Sequence, residues 1–221
     1  MKTLAAFCSA LALCSVPARA VVSTFGASNL AATIPDGDLN GYQNSIVVSG
    51  LPSTLTDLNF SINLSGGFNG DYYAYLSHGN ATAVLLNRTG RSSASSVGYA
   101  DGGFAISLDD QAASDVHFYR SGSFTLSAGQ LTGTWEPDGR AIDPLSSGAI
   151  FSSAGRTGLL NVFNGMDPNG TWTFFIADVA SGAEGQLNSY SFQLTTVPEP
   201  SVLALGCALA LGTLCIRRRG Q

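Results

Sequence analysis

The chain has 221 residues, a formal net charge of −5, only 11% charged residues and 26 glycines. Both ends are apolar, and the part between them is more acidic than the whole: residues 21–196 hold five arginines, no lysine, twelve aspartates and two glutamates, a net charge near −9. A surface of that sign repels phosphate, which excludes nucleic acid and anionic lipid as partners of this part.

The N-terminus has the three parts of a secretory signal: Lys2, a mostly apolar stretch from Leu4 to Val16, and the small-x-small triplet Ala18-Arg19-Ala20. The expected mature chain begins near Val21, and residues 1–20 form a signal helix outside the fold. All four cysteines, Cys8, Cys14, Cys207 and Cys215, lie in the terminal segments. An exported body without thiols has no disulfides to stabilise it and must rely on its core, its hydrogen bonds or a metal. Residues 21–196 are enough for one sizeable domain and too few for two.

Within that body the segment Asp57 to Leu64 alternates strictly, with Leu58, Phe60, Ile62 and Leu64 on one face and Asn59, Ser61 and Asn63 on the other, the period of a half-buried strand. Further short runs rich in branched or aromatic residues occur at 46–48, 72–76, 83–86, 104–108, 172–177 and 190–194, separated by Gly, Ser, Asn and Asp clusters. The pattern predicts an all-β, jelly-roll-like sandwich without an amphipathic helix. The polar stretch Ser92 to Ser96 reads as a loop. Tyr73 and Tyr75 fall on one face of their strand and Tyr72 on the other, so one face either offers rings to a sugar or peptide or packs inward.

Asp36-Gly37-Asp38-Leu39-Asn40-Gly41 has the alternating oxygen ligands and the turn glycine of the first half of a calcium loop. The twelfth position, where a bidentate glutamate belongs, is Val47, so a complete EF-hand is excluded. Two readings remain: a partial calcium site through Asp36, Asp38 and Asn40, or an Asp- and Gly-rich turn leading into a strand. Asp109, Asp110 and Asp115 complete a cation site only if the fold gathers them. The two histidines of the chain, His78 and His117, lie in no recognisable catalytic motif, and there is no nucleophile elbow. The only glutamates of the body, Glu136 and Glu184, read as solvated loop residues, and zinc has too few ligands.

Four blocks in order, at 34–50, 70–87, 103–113 and 169–194, resemble the P domain, or P/Homo B domain, which follows the catalytic domain in proprotein convertases and many bacterial subtilisin-like proteases. The most specific element is Gly170-Thr171-Trp172 followed by Asp178, Gly185 and Leu187. The resemblance implies a β jelly roll and an accessory role beside proteases. Two departures occur: Gly70-Asp71-Tyr72 stands where that family has Gly-Asp-Leu, and Ser77 to Thr82 lacks its proline. Trp172 is expected to bury its ring at a strand start, Asp178 to end that strand, and Gly185 to open the last one.

The chain closes with Val197-Pro198-Glu199-Pro200, a fifteen-residue uncharged run from Val202 to Ile216, and Arg217-Arg218-Arg219. Two prolines hold the clip extended, a helix of that length is about 22 Å long, and three arginines stay on the cytoplasmic side. Clip, apolar helix and arginines together resemble the PEP-CTERM sorting signal of Gram-negative bacteria that make extracellular polysaccharide. That resemblance implies recognition by the exosortase membrane enzyme, transient anchoring in the inner membrane, and delivery to the outer surface or beyond; an ordinary membrane anchor is the alternative. The chain is then expected to be an exported, non-catalytic interaction module at the cell surface or in its matrix. The competing readings are a calcium-dependent adhesion or polysaccharide-binding module, a module contacting a surface protein, and a small secreted hydrolase or protease-associated domain.

Overall fold

The computed structural model describes residues 19–197. The signal segment, Pro198, Glu199, Pro200, the apolar run and Arg217 to Arg219 lie outside the described residues. Eleven strands follow in order: β1 (Val21–Ala27), β2 (Ala32–Ile34), β3 (Asp38–Val48), β4 (Thr54–Gly66), β5 (Tyr72–His78), β6 (Ala81–Asn87), β7 (Gly103–Leu108), β8 (Leu126–Ser127), β9 (Gln130–Trp135), β10 (Gly170–Asp178) and β11 (Gly185–Val197). One short α-helix, α1 (Gly148–Ser153), and three 3-10 helices at Asn69–Asp71, Val116–Ser121 and Leu160–Phe163 interrupt them, and no helix among the described residues is long and apolar enough to cross a membrane.

The strands form a seven-stranded sheet, ordered β1-β11-β4-β7-β9-β8 with β2 also paired to β11, and a four-stranded sheet ordered β3-β10-β5-β6. All pairings are antiparallel except β7 with β9. The chain is therefore an all-β sandwich, as its alternation predicts. β4 lies near the middle of the larger sheet and buries Leu58, Phe60, Ile62 and Leu64, while Asn59, Ser61 and Asn63 point outward.

The sheets meet through rings. Phe60 of β4 lies 5.2 Å from Phe174 of β10, which lies 4.5 Å from Tyr190 of β11. One layer further, Trp172 lies 5.3 Å from Phe192 and 4.9 Å from Phe163. Trp172 is buried at the third position of its strand and its indole N–H donates to the Pro168 carbonyl at 2.8 Å, so the polar atom of its ring is satisfied. Burying such a ring contributes about 2–3 kcal/mol. β6 shows the other strand pattern: Ala83, Val84, Leu85 and Leu86 are all buried. A continuous apolar run marks a strand covered on both faces. Residues 138–139 and 158 run along its otherwise free edge, with Asp138 N–H donating to Leu85 O, Gly139 N–H to Val84 O, and Val84 N–H to Gly158 O.

Candidate functional site

The outer face of the seven-stranded sheet carries an open concavity. The register places Gly26, Ser191, Ser61, Ser107 and Thr134 in one row across five strands. A neighbouring row continues through Ser189, Asn63, Ala105 and Thr132. Small side chains on adjacent strands leave an open groove of about 730 Å³. Its lining mixes Ser and Thr hydroxyls and the Asn63 amide with apolar surface from Phe25, Ala27 and Ala105, and no basic residue is among those that line it. At one end lie Asp57, Asn59 and Asp109. Burial and the nearby charge of Asp109 raise the Asp57 carboxyl above its usual range. Asn59 donates to Asp57 at 3.3 Å, while its own Oδ1 is buried without a partner. The arrangement can exchange hydrogen bonds with a neutral, hydroxyl-rich chain and opposes an anionic one.

On the outer face of the smaller sheet, Tyr75 stacks on Phe175 at 4.9 Å and Tyr73 lies 6.0 Å from Tyr75. Tyr72 points the other way and is fully buried, donating its hydroxyl to Gly66 O at 3.0 Å. Tyr73 and Tyr75 thus share the outer face and are half-buried against Phe175.

Both histidines are buried. The His117 ring faces an Asp138 carboxylate oxygen at 2.6 Å through Nδ1 and the Arg91 carbonyl at 2.9 Å through Nε2. His78 lies flat on Trp172, with ring centroids 4.2 Å apart, and its nitrogens face the Thr171 and Asp167 carbonyls at 3.0 and 2.8 Å. Neither ring turns a nitrogen towards a hydroxyl, which a histidine base activating a serine requires.

Around His117 the structure builds a network that sequence reasoning missed. Asp138 accepts from His117, Asn87 N–H and Arg140. Arg140 also donates to Asp115 at 2.9 Å, and Arg156 bridges Asp115 and Glu136. Glu136 is therefore an ion-pair partner instead of a solvated loop residue, whereas Glu184 is exposed. Asp109, Asp110 and Asp115 do not form a cation site: Asp109 caps the Gln111 amide, Asp110 accepts the Leu160 and Asn161 amides, and Asp115 joins the arginines. Of these contacts, only the short Asp-x-x bonds have a sequence signal.

The residues of the expected calcium loop separate. Asp38 Oδ1 accepts both the backbone and the side-chain N–H of Asn40, at 2.9 and 2.8 Å, which is the geometry of a turn. Asp36 instead reaches across the molecule to the Gly182 amide at 2.7 Å. Among the described residues, no three carboxylate, imidazole or thiol groups are gathered around a metal position. Val197, the first residue of the expected sorting motif, is the last residue of β11 and pairs with Thr54.

Near Asp36, the Asp178 carboxyl is pushed up to about 6 by its burial and by the charges of Asp71 and Asp36. Its Oδ1 accepts the Ala180 amide at 3.3 Å, and its buried Oδ2 has no partner.

No family model and no curated protein matches the chain. Among solved structures it is similar to a chain in the crystal structure of the Aeromonas sobria serine protease with its chaperone, at 15% identity and a TM-score of 0.43. It is also similar to the serine protease of Aeromonas sobria solved by itself, at 15% identity and a TM-score of 0.42. In both cases the match covers 82% of this chain and 27% of the other.

Proposed function

We propose that the chain is an exported, non-catalytic β-sandwich module that holds a neutral polysaccharide outside the cell. The observation that carries this reading is the groove on the seven-stranded sheet, with its rows of Ser, Thr and Asn and no basic residue. Closely spaced donors and acceptors on a rigid sheet suit a ligand that repeats hydroxyl groups, and pre-organised side chains limit the entropy lost on binding. Two committed histidines support a binding role over hydrolysis. Export through the signal segment and sorting of the tail by an exosortase, with a temporary stay in the inner membrane, complete the reading. They rest on the residues at 1–20 and 197–219. Calcium belongs to it through Asp36, since Asp38 and Asn40 satisfy one another.

The test is retention of the protein in native gels containing neutral or anionic polysaccharides. Retardation by a neutral polymer, weakened at least tenfold by Ser107→Trp with an unchanged melting temperature, is expected. No retardation by any neutral polymer, or full binding by the filled groove, refutes the reading. Intact-mass analysis of surface and secreted fractions checks the sorting step, with loss of the residues after about Pro198 expected.

A second reading, a protease-associated accessory domain, is favoured by the positions of the P-domain-like residues. Trp172 lies near the start of β10, Asp178 ends it and Gly185 opens β11. Co-purification with an exported protease, unaffected by Ser107→Trp, would favour it.

A further inference from the structure

Beside the starts of β3 and β5 and the end of β10, the carboxylates of Asp178, Asp71 and Asp36 feel one another's charge, with Arg88 paired to Asp71. Asp178 is the last residue of β10, placed by a register shift opposite Asp38 on one side and Tyr72 on the other. It is wholly buried, and one of its oxygens is unpartnered. Asp71, 6% exposed, immediately precedes β5 and is tied to the same turn through its carbonyl, which accepts the Val179 amide at 2.8 Å. Its Oδ1 faces Arg88 Nη2 at 3.3 Å, and its Oδ2 faces the 180–182 turn, 3.9 Å from where a Cβ on Gly182 would stand. Asp36 holds that turn from the other side through the Gly182 amide. Arg88, paired to Asp71, also lies within reach of the Asp178 charge, and Arg91 acts on Asp71 from further off; Arg120, Arg140 and Arg156 are paired elsewhere.

A buried carboxylate oxygen without a donor is costly unless a cation takes the place of the missing partner. We propose that Asp178 Oδ2 and Asp71 Oδ2 are two ligands of a calcium ion at this end of the sandwich, with Asp36 supplying charge from the adjoining turn. Calcium takes six to eight oxygens in loose geometry, so two carboxylates suffice when main-chain carbonyls and water complete the shell. Neither histidine nor cysteine is at hand for a softer metal, and magnesium demands a stricter octahedron. Arg88 at 3.3 Å from Asp71 removes part of the attraction, which places the affinity among extracellular modules, with a Kd of roughly 0.1–1 mM. The site names the cation and ligands for the calcium part of the function proposed above. Its test reads the fold and not the groove, so either can fail alone.

The experiment is thermal unfolding of the full chain in EGTA, in 10 mM calcium and in 10 mM magnesium, followed by tryptophan fluorescence. Calcium at 10–100 times its Kd is expected to raise Tm by roughly 3–10 °C, with a smaller rise in magnesium. Asp178→Asn keeps the shape, removes the charge, and is expected to unfold no earlier than wild type in EGTA while losing the calcium response. Asp38→Asn is expected to keep it. Terbium luminescence sensitised by the nearby tyrosine gives a second readout, with emission displaced by calcium and absent in Asp71→Asn. A wild-type Tm within 1 °C in EGTA and calcium, or an undiminished rise in Asp178→Asn, overturns the site. If Asp178→Asn fails to fold, calcium-displaceable terbium emission undiminished in Asp71→Asn overturns it as well.

Discussion

Asp138→Ala tests whether the His117 network is structural. The Asp138 side chain is fully buried and holds four groups: His117 Nδ1 at 2.6 Å, Asn87 N–H at 3.2 Å, Arg140 N–H at 3.3 Å and Arg140 Nη1 at 3.2 Å. Removing the carboxylate leaves these donors facing a cavity. Arg140, itself only 5% exposed, retains Asp115 as its remaining carboxylate. Breaking a buried pair in this way costs about 3–5 kcal/mol, because an uncompensated charge stays behind. For a domain of this size each kcal/mol moves Tm by roughly 2–4 °C, so a drop of about 6–20 °C is expected. Urea unfolding followed by the fluorescence of Trp135 and Trp172 reports it. The conservative Asp138→Asn retains one acceptor and should lose less. His117→Ala should lower stability in parallel, and polysaccharide retention per folded molecule should be unchanged. A loss below about 1 kcal/mol for Asp138→Ala, or a loss of some hydrolytic activity without loss of stability in His117→Ala, would refute the structural role.

Asp101 gives the pH test. Burial raises its carboxyl, but hydrogen bonds from Arg120 and Tyr119 outweigh this and leave it below the usual 3.8. A carboxyl depressed in the folded state contributes stability above its unfolded value, and that contribution is lost as pH falls through the folded one. Asp101→Asn should therefore destabilise at pH 7, with the gap to wild type closing below about pH 4 in denaturant titrations. Gly67→Ala and Gly185→Ala should each be severe, since a Cβ at either would lie within 2 Å of the Tyr72 hydroxyl, and the reporter is a lowered urea midpoint. Phe60→Ala removes the ring between Phe174 and Tyr190 and should cost about 3–5 kcal/mol in the same assay.

The strands that sequence alone reveals are those with a clean period. β4 alternates from Asp57 to Leu64 because one face meets the core and the other meets water, so that apolar set is visible without neighbours, whereas Leu55 falls out of phase at a register shift against β11. β9 carries Gly133 and two threonines beside Leu131 and Trp135, and only its parallel pairing with β7 makes it a strand. β1 reads as an alternation too weak to separate from the end of the signal segment, and its place depends on β11, 170 residues away in the register Val22 with Thr195. The groove was half legible: Asn59, Ser61 and Asn63 are outward by period, but the row they form with Ser107 and Ser191 exists only once the sheet is assembled. The His117 network joins Asn87 at the end of β6 to residues from 91 to 156 in loops without periodicity, which leaves no sequence pattern to find.

Aspartate outnumbers glutamate twelve to two in residues 21–196, and the structure gives that imbalance a cause. Seven aspartates, Asp38, Asp109, Asp115, Asp138, Asp143, Asp167 and Asp178, accept the backbone N–H of the residue two positions on. That turn closes only around a short side chain, and glutamate is one methylene too long to make it. An excess of aspartate in a strand-rich, cysteine-free domain is thus a signature of how its loops are fastened, and Asp-x-Asn at Asp38 is an instance of it. Asp36, Asp57, Asp71, Asp101 and Asp110 depart from the pattern: Asp36 spends its oxygen on Gly182, 146 residues away in sequence, and Asp71 on Arg88. Asp178 follows the pattern with one oxygen and leaves the second unpartnered. Aspartates whose oxygens reach beyond their own turn are the ones that act at a distance, and Asp36, Asp71 and Asp178 feel one another's charge at one end of the sandwich.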